Sequence, residues 1–168
     1  MSVRPERNIF YDKVELGLTV TRPADTVQYA DNDTIAASTS TAYAIEVANV
    51  GAVPGQNVNV VGAYCSSTNP AATPVSLSVW LFNSPPASPV DNAAFAITDG
   101  ENDTVVGVIP ISTWVKSSNN SRGQAHTMKL PLKCAAAETS LYALIVANNA
   151  YQPISGEVFK FKFHIERT

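Results

Sequence analysis

The sequence predicts an all-β protein, a jelly-roll-like antiparallel β-sandwich with at most one short helix. Three observations predict it. Near the C-terminus Phe159, Phe161, Phe163 and Ile165 alternate with Lys160, Lys162 and His164, and a strict period of two makes one apolar stripe only on an extended strand. The rest of the chain reads as about eight to ten short apolar segments separated by Pro-, Gly- and Asn-rich turns, the punctuation of a sandwich or barrel. No apolar periodicity lasts long enough for a βαβ crossover helix. Several long connections favour a jelly roll over an up-and-down barrel with tight loops, and no internal repeat suggests a solenoid or propeller.

Residues 1–13 read as an N-terminal arm, and 14–168 as a single β-sandwich domain. The arm holds Arg4, Arg7 and the apolar trio Ile9, Phe10 and Tyr11. Such an arm either packs back on its own domain or reaches a neighbouring subunit and anchors there. Val14, Leu16, Leu18 and Val20 alternate cleanly as the first strand, which Arg22-Pro23 breaks. After a short Val27–Ala30 segment, Asp31-Asn32-Asp33 signals a turn. A Thr- and Ala-rich stretch leads into Tyr43–Ala48, and Asn57–Cys65 and Val75–Asn83 follow as strands, the last apolar on both faces. Three prolines in Ser84–Pro89 remove ladder donors, so this segment is a stiff loop. Asp91–Phe95 offers a capping residue and helix formers over barely one turn, the expected place of the short helix. Val105–Ile109, His126–Cys134 and Leu141–Val146 complete the strands, with Pro131 confining its strand to an edge or a bulge.

At 168 residues one domain buries roughly 70% of its unfolded surface, enough for a core without metal or disulfide staples. The charged fraction is 15%, well under the roughly 25% of an average soluble domain. The surface is therefore Ser, Thr, Asn and Ala, which lowers the cost of packing against neighbours. With 11 basic and 14 acidic residues the net charge is -3, so no global field gathers phosphates and no nucleic-acid partner is expected. No apolar run follows the N-terminal arginines, and no uninterrupted apolar stretch reaches roughly 18 residues; neither a classical signal nor a membrane partner is expected.

The chemistry of an active site is missing. The histidines are His126 and His164: the first aligns with Met128, Leu130 and Leu132, the second shares the face of Lys160 and Lys162, and neither has a nucleophile in reach of sequence reasoning. No catalytic, cofactor-binding or metal residue is assigned. Asp99-Gly100-Glu101-Asn102-Asp103 sets oxygen ligands at alternate positions, but it lacks the spacing of a calcium hand, so a polar turn is the simpler reading. Cys65 and Cys134 either pair, if their strands are neighbours, or stay as buried thiols, and their spacing fits no zinc or redox motif. Sequons at Asn32, Asn102 and Asn119 are the number chance gives in a chain this rich in Asn, Ser and Thr. Trp80 and Trp114 are the aromatics to weigh as sugar platforms; Trp114 lies beside the polar run Lys116–Ser121, near a loop, but core is the better reading for both.

Five segments together resemble a known family: Thr21–Thr26, Tyr29–Asp33, Trp80–Asn83, Asp91–Phe95 and Tyr151–Glu157. The chain resembles small tailed-bacteriophage structural proteins encoded beside the major capsid protein, some of them jelly-roll cement or decoration proteins on the capsid surface. Family members carry Tyr-Ala-x-Gly-Asp where this chain has Tyr29-Ala30-Asp31-Asn32-Asp33. The resemblance implies a non-enzymatic virion protein, made in the host cytoplasm, that binds the major capsid protein, with a homo-oligomer (dimer or trimer) expected. Arg4, Arg7, Ile9, Phe10 and Tyr11 are then the expected interface residues. The competing expectation is a receptor- or glycan-binding head-fibre or tail module; a virion depolymerase or esterase is a third, without a catalytic constellation to support it.

Overall fold

The computed structural model describes residues 12–42, 44–70, 75–87, 89–125 and 129–168. The strands are β1 (Asp12–Thr21), β2 (Asp33–Ile35), β3 (Ile45–Val47), β4 (Asn57–Ser67), β5 (Leu77–Phe82), β6 (Val105–Ile111), β7 (Thr113–Lys116), β8 (Ser121–Gln124), β9 (Leu130–Lys133), β10 (Leu141–Ala147) and β11 (Val158–Arg167), with one helix among the described residues, α1 (Asp99–Asn102). They form two antiparallel sheets, β1-β11-β4-β8-β7 with β9 also on β4, and β2-β10-β5-β6 with β3 also on β10.

Both sheets are organised by a long strand that serves two short ones on the same side. The first half of β4 pairs with β9 and the second half with β8, while β10 pairs with β3 and then β2. Counting β2 with β3 and β8 with β9 as single strand lines, and leaving β7 as an added edge, the spatial orders become first-last-third-sixth and second-seventh-fourth-fifth. That is the two-Greek-key order of a jelly roll. Pro131 lies in β9 opposite Asn59, at the edge of β4, where its missing N–H costs no ladder bond.

The core lies between the sheets. Leu18 and Val20 of β1, Phe159, Phe161, Phe163 and Ile165 of β11, and Val58 and Val60 of β4 face Leu77, Val79, Ile109, Ile111, Ala143 and Ile145 of the other sheet. The alternation in β4 breaks once: its buried residues are Val58 and Val60, then Ala63, Cys65 and Ser67. A bulge accounts for it, since His164 pairs with Gly62 but Ile165 with Val60, leaving Val61 as the extra residue.

The two sheets differ in what covers their outer faces. On the second sheet Phe82, Leu144 and Val146 are also buried, on the side away from the core, and Trp80 packs there against Phe95 in a tilted pair with ring centroids 4.9 Å apart. Its near-continuous apolar strands reflect burial on both sides. The outer face of the first sheet is open and carries Lys160, Lys162, His164, Tyr64 and Arg122.

The short helix is not where the sequence places it. Asp91–Phe95 is a turn, with Asn92 at φ 60°, because the Asp91 carboxylate is drawn inward by buried partners and cannot cap. The helix forms instead at Asp99–Asn102, the segment expected as a polar turn. Thr98 accepts from the Glu101 N–H at 3.2 Å, and the Glu101 carboxylate accepts from the Thr98 N–H at 2.7 Å, a reciprocal capping box that satisfies two end groups. The hairpin β7–β8 is the other departure: it is built from the polar run around Ser117–Asn120, where Ser117 N–H donates to the Asn120 carbonyl at 2.8 Å.

Candidate functional site

Two polar groupings stand out, one buried and one open. The buried one gathers at one end of the sandwich, where β1 ends and the loop before β11 begins. Arg22 follows β1 and is 2% exposed. Its Nη2 donates to Asp91 Oδ2 at 3.1 Å and to Asp25 Oδ1 at 3.2 Å, and its Nε bonds to the Tyr29 hydroxyl. The Asp91 carboxylate also accepts from Tyr29 Oη at 2.6 Å and from the Ala36 N–H at 2.8 Å. Few geometries let a buried carboxylate and guanidinium persist; this one satisfies both oxygens of the acid.

Tyr29 then links to Tyr151 through paired backbone bonds of 2.9 and 3.2 Å and stacked rings. Tyr151 Oη donates to the fully buried Glu157 carboxyl, which also accepts from Ser67 Oγ and from Asn69 Nδ2 at 3.3 Å. Burial, and then the neighbouring carboxyl in each case, push the phenols of Tyr29 and Tyr151 well above their ordinary range. Neither phenol is therefore a proton carrier near neutral pH. Arg22 Nη1 is buried without a hydrogen-bond partner among the described residues, while the other polar side chains of the network bond to one another and tie loops 22–29, 90–95 and 151–157 together.

Four of the five segments that carry the resemblance meet in this network, and the fifth contacts one of them. Arg22 and Asp25, Tyr29, Asp91, Tyr151 and Glu157 are its members, and Trp80 packs on Phe95 beside it. Asn32 stands where the resembled pattern has glycine, and its φ of 69° is the left-handed conformation that Gly adopts freely and Asn tolerates best among the others.

The open grouping lies on the outer face of the first sheet, in a groove of about 390 Å³. Register builds it. Lys160 of β11 is opposite Ser66 of β4, which is opposite Arg122 of β8, and one step along, Lys162 is opposite Tyr64. Arg122 lies over the Tyr64 ring at 4.9 Å, and His164 packs against the same ring at 5.3 Å. Glu15 of β1 accepts from Lys162 Nζ at 2.6 Å and is 3.2 Å from His164 Nε2.

The Lys162 hydrogen bond holds the Glu15 carboxyl below its ordinary range. A carboxyl depressed in the folded state stabilises above its unfolded value, near about 4.3, and that contribution is lost as pH falls through the lowered value. Lys162→Gln is expected to raise the Glu15 titration midpoint toward the unperturbed value, read from the side-chain carboxyl by NMR. An unmoved midpoint would mean that the pair does not form in solution.

The residues singled out in the sequence distribute unevenly. Arg4, Arg7, Ile9, Phe10 and Tyr11, and also His126, lie outside the described residues. His164 is on the open face, as its alternation with Phe163 implies. Cys65 and Cys134 are free and buried, and burial, foremost, raises both thiols, which makes them inert. Trp114 is half-buried against the core, lying over Gly123 so closely that an added Cβ would come 2.6 Å from its ring. Asp99, Glu101 and Asp103 belong to the helix and its cap, and no group of three or more His, Cys, Asp or Glu among the described residues could hold a metal. No described helix is long and apolar enough to cross a membrane.

No family model matches the chain, and no curated protein matches it. Among solved structures, a chain of desmodium yellow mottle tymovirus is similar over 99% of this chain and 86% of its own length, at 12% identity and a TM-score of 0.30.

Proposed function

We propose that this protein is a virion structural protein of the bacteriophage cement or decoration kind, which binds the outer surface of the mature head and bridges capsid subunits. One observation carries the reading. Four of the five segments of the resemblance, spread from Thr21 to Glu157, meet in one buried network that locks the loops of a jelly roll, and the fifth touches it through the contact of Trp80 with Phe95. Their shared residues are therefore the fastening of an architecture rather than unconnected habits of sequence.

A cement protein needs no catalysis. It binds the assembled lattice and not the free subunits, so it shifts the equilibrium toward intact shells by mass action. Weak contacts suffice when one molecule, or a dimer or trimer of it, touches two or more subunits, because the first contact makes the next effectively intramolecular. The locked sandwich acts as a rigid spacer, and the arm, through Arg4, Arg7, Ile9, Phe10 and Tyr11, clasps a neighbour.

The test is co-sedimentation of the purified protein with mature heads lacking it and with unexpanded procapsids. Saturable binding to mature heads alone is expected, with a stoichiometry per capsomer that gives the symmetry axis. Deletion of residues 1–11 is expected to weaken that binding; unchanged binding and oligomeric state would remove the arm from the mechanism. Binding to host polysaccharide with no affinity for either particle would replace the cement reading with a receptor- or glycan-binding module.

A further inference from the structure

The groove on the open face has the shape and charge of a docking site for an extended acidic peptide. Lys160, Lys162 and His164 project from β11 at every second residue, so their spacing is about 6.7 Å. An extended chain with carboxylates at alternate positions has the same repeat, so a carboxylate at Lys160 sets the next one beside Lys162, where it competes with Glu15. Ser66 leaves low ground beside Lys160 on β4, and Arg122 forms the opposite wall. Lys160 and Arg122 flank Ser66 from two strands, and neither forms an ion pair among the described residues.

The geometry points to this groove as the place where an extended, acidic segment of a partner protein lies along β11, its carboxylates between Lys160 and Arg122. That the segment belongs to the capsid shell rests on the cement reading; the groove and its preference do not. Two other occupants fit less well. A sugar ring needs a free aromatic face, and Tyr64 is covered by Arg122 and His164. A nucleic acid needs many phosphate contacts at physiological salt, whereas the groove offers only Lys160 and Arg122 as cations outside an ion pair among the described residues.

The experiment uses the full chain and a fluorescein-labelled peptide of alternating Glu and Thr, followed by fluorescence anisotropy. Two comparison peptides are a Gln-Thr alternate and a peptide of the same Glu and Thr content arranged in blocks. The alternating acidic peptide is expected to bind saturably, more weakly as salt rises, and more tightly than either comparison peptide. Lys160→Glu and Arg122→Glu are each expected to weaken it at least about tenfold, while Lys133→Glu, an equal charge change at the far end of β4, leaves it unchanged. Lys160→Gln and Arg122→Gln give the milder series should either reversal disturb folding.

Absence of saturable binding overturns the inference, as does an equal loss on Lys133→Glu, equal affinity for the blocked peptide, or tighter binding of an oligonucleotide or a sulfated polysaccharide. Head binding is read separately. Peptide binding without head binding keeps the groove and removes the cement reading; head binding by a chain that ignores the peptide removes the groove and keeps the cement reading.

Discussion

Asp91→Ala is expected to destabilise the protein by about 3–5 kcal/mol, the cost of breaking a buried ion pair by removing one partner. The size follows from what is left behind. Arg22 and Asp91 both have fully buried side-chain charges, and truncating the acid leaves the buried guanidinium with only the partly exposed Asp25 as its counter-charge. The Tyr29 hydroxyl and the Ala36 N–H lose their acceptor in the same step. Against a total stability of about 5–15 kcal/mol for a domain, the loss is a large share, a fall in Tm of about 6–20 °C at this chain length.

Two controls separate this account from a general sensitivity of the loops. Asp25→Ala removes the other acid on Arg22, a carboxylate with 31% of its side-chain surface exposed, and is expected to cost about 1 kcal/mol or less. The double replacement of Arg22 by Met and Asp91 by Leu is expected to recover part of the loss, since it leaves no fully buried charge, although the Tyr29 hydroxyl and the Ala36 N–H still lack their acceptor. Urea unfolding of the set checks both. A cost under about 1 kcal/mol for Asp91→Ala would mean that the loops are fastened by something other than this network.

Much of the fold was legible because burial on one face writes itself as alternation. Val14 to Val20 and Phe159 to Ile165 show it without interruption, and these two strands pair with each other along their whole length, Leu18 opposite Phe161 and Leu16 opposite Phe163. The misses have physical causes. The capping potential of Asp91 was real, but a partner 69 residues away took its carboxylate, and only the folded chain brings Arg22 there. The strands β7 and β8 are short, four residues each, with β7 at the edge of the sheet and β8 beside it, so they bury too little to impose a pattern. The parity break between Val60 and Ala63 was present in the sequence beside Gly62, and a bulge is its natural reading.

The sites divide along the same line. The cationic face of β11 could be read from the period of two, since Lys160, Lys162 and His164 must share a side. Arg122 could not be placed with them, because its position depends on β8 pairing with β4. Ser67, Asn69 and Glu157 are ordinary surface residue types, and nothing local marks them as buried; their burial follows from the way the loop before β11 closes over the end of the sandwich.

Phe161→Ala is expected to cost about 3–5 kcal/mol, while Lys160→Ala changes stability by no more than about 0.5 kcal/mol and Lys162→Ala by no more than about 1 kcal/mol. Phe161 is central in its sheet, between Leu18 of β1 and Cys65 of β4, and its ring lies 6.5 Å from both Phe159 and Phe163. Removing it opens a cavity that β1 and β4, pinned by their ladders, cannot close. Along β11 the profile of stability loss should therefore be a sawtooth, high at 159, 161, 163 and 165 and low at 160, 162 and 164. Peptide binding in the groove should follow the opposite teeth, because that surface is made by the even positions. Equal costs at Phe161 and Lys162 would show that the strand is not buried on one face alone. A variant at Phe161 that keeps its fold yet loses the peptide would show that the two faces of the strand are not independent.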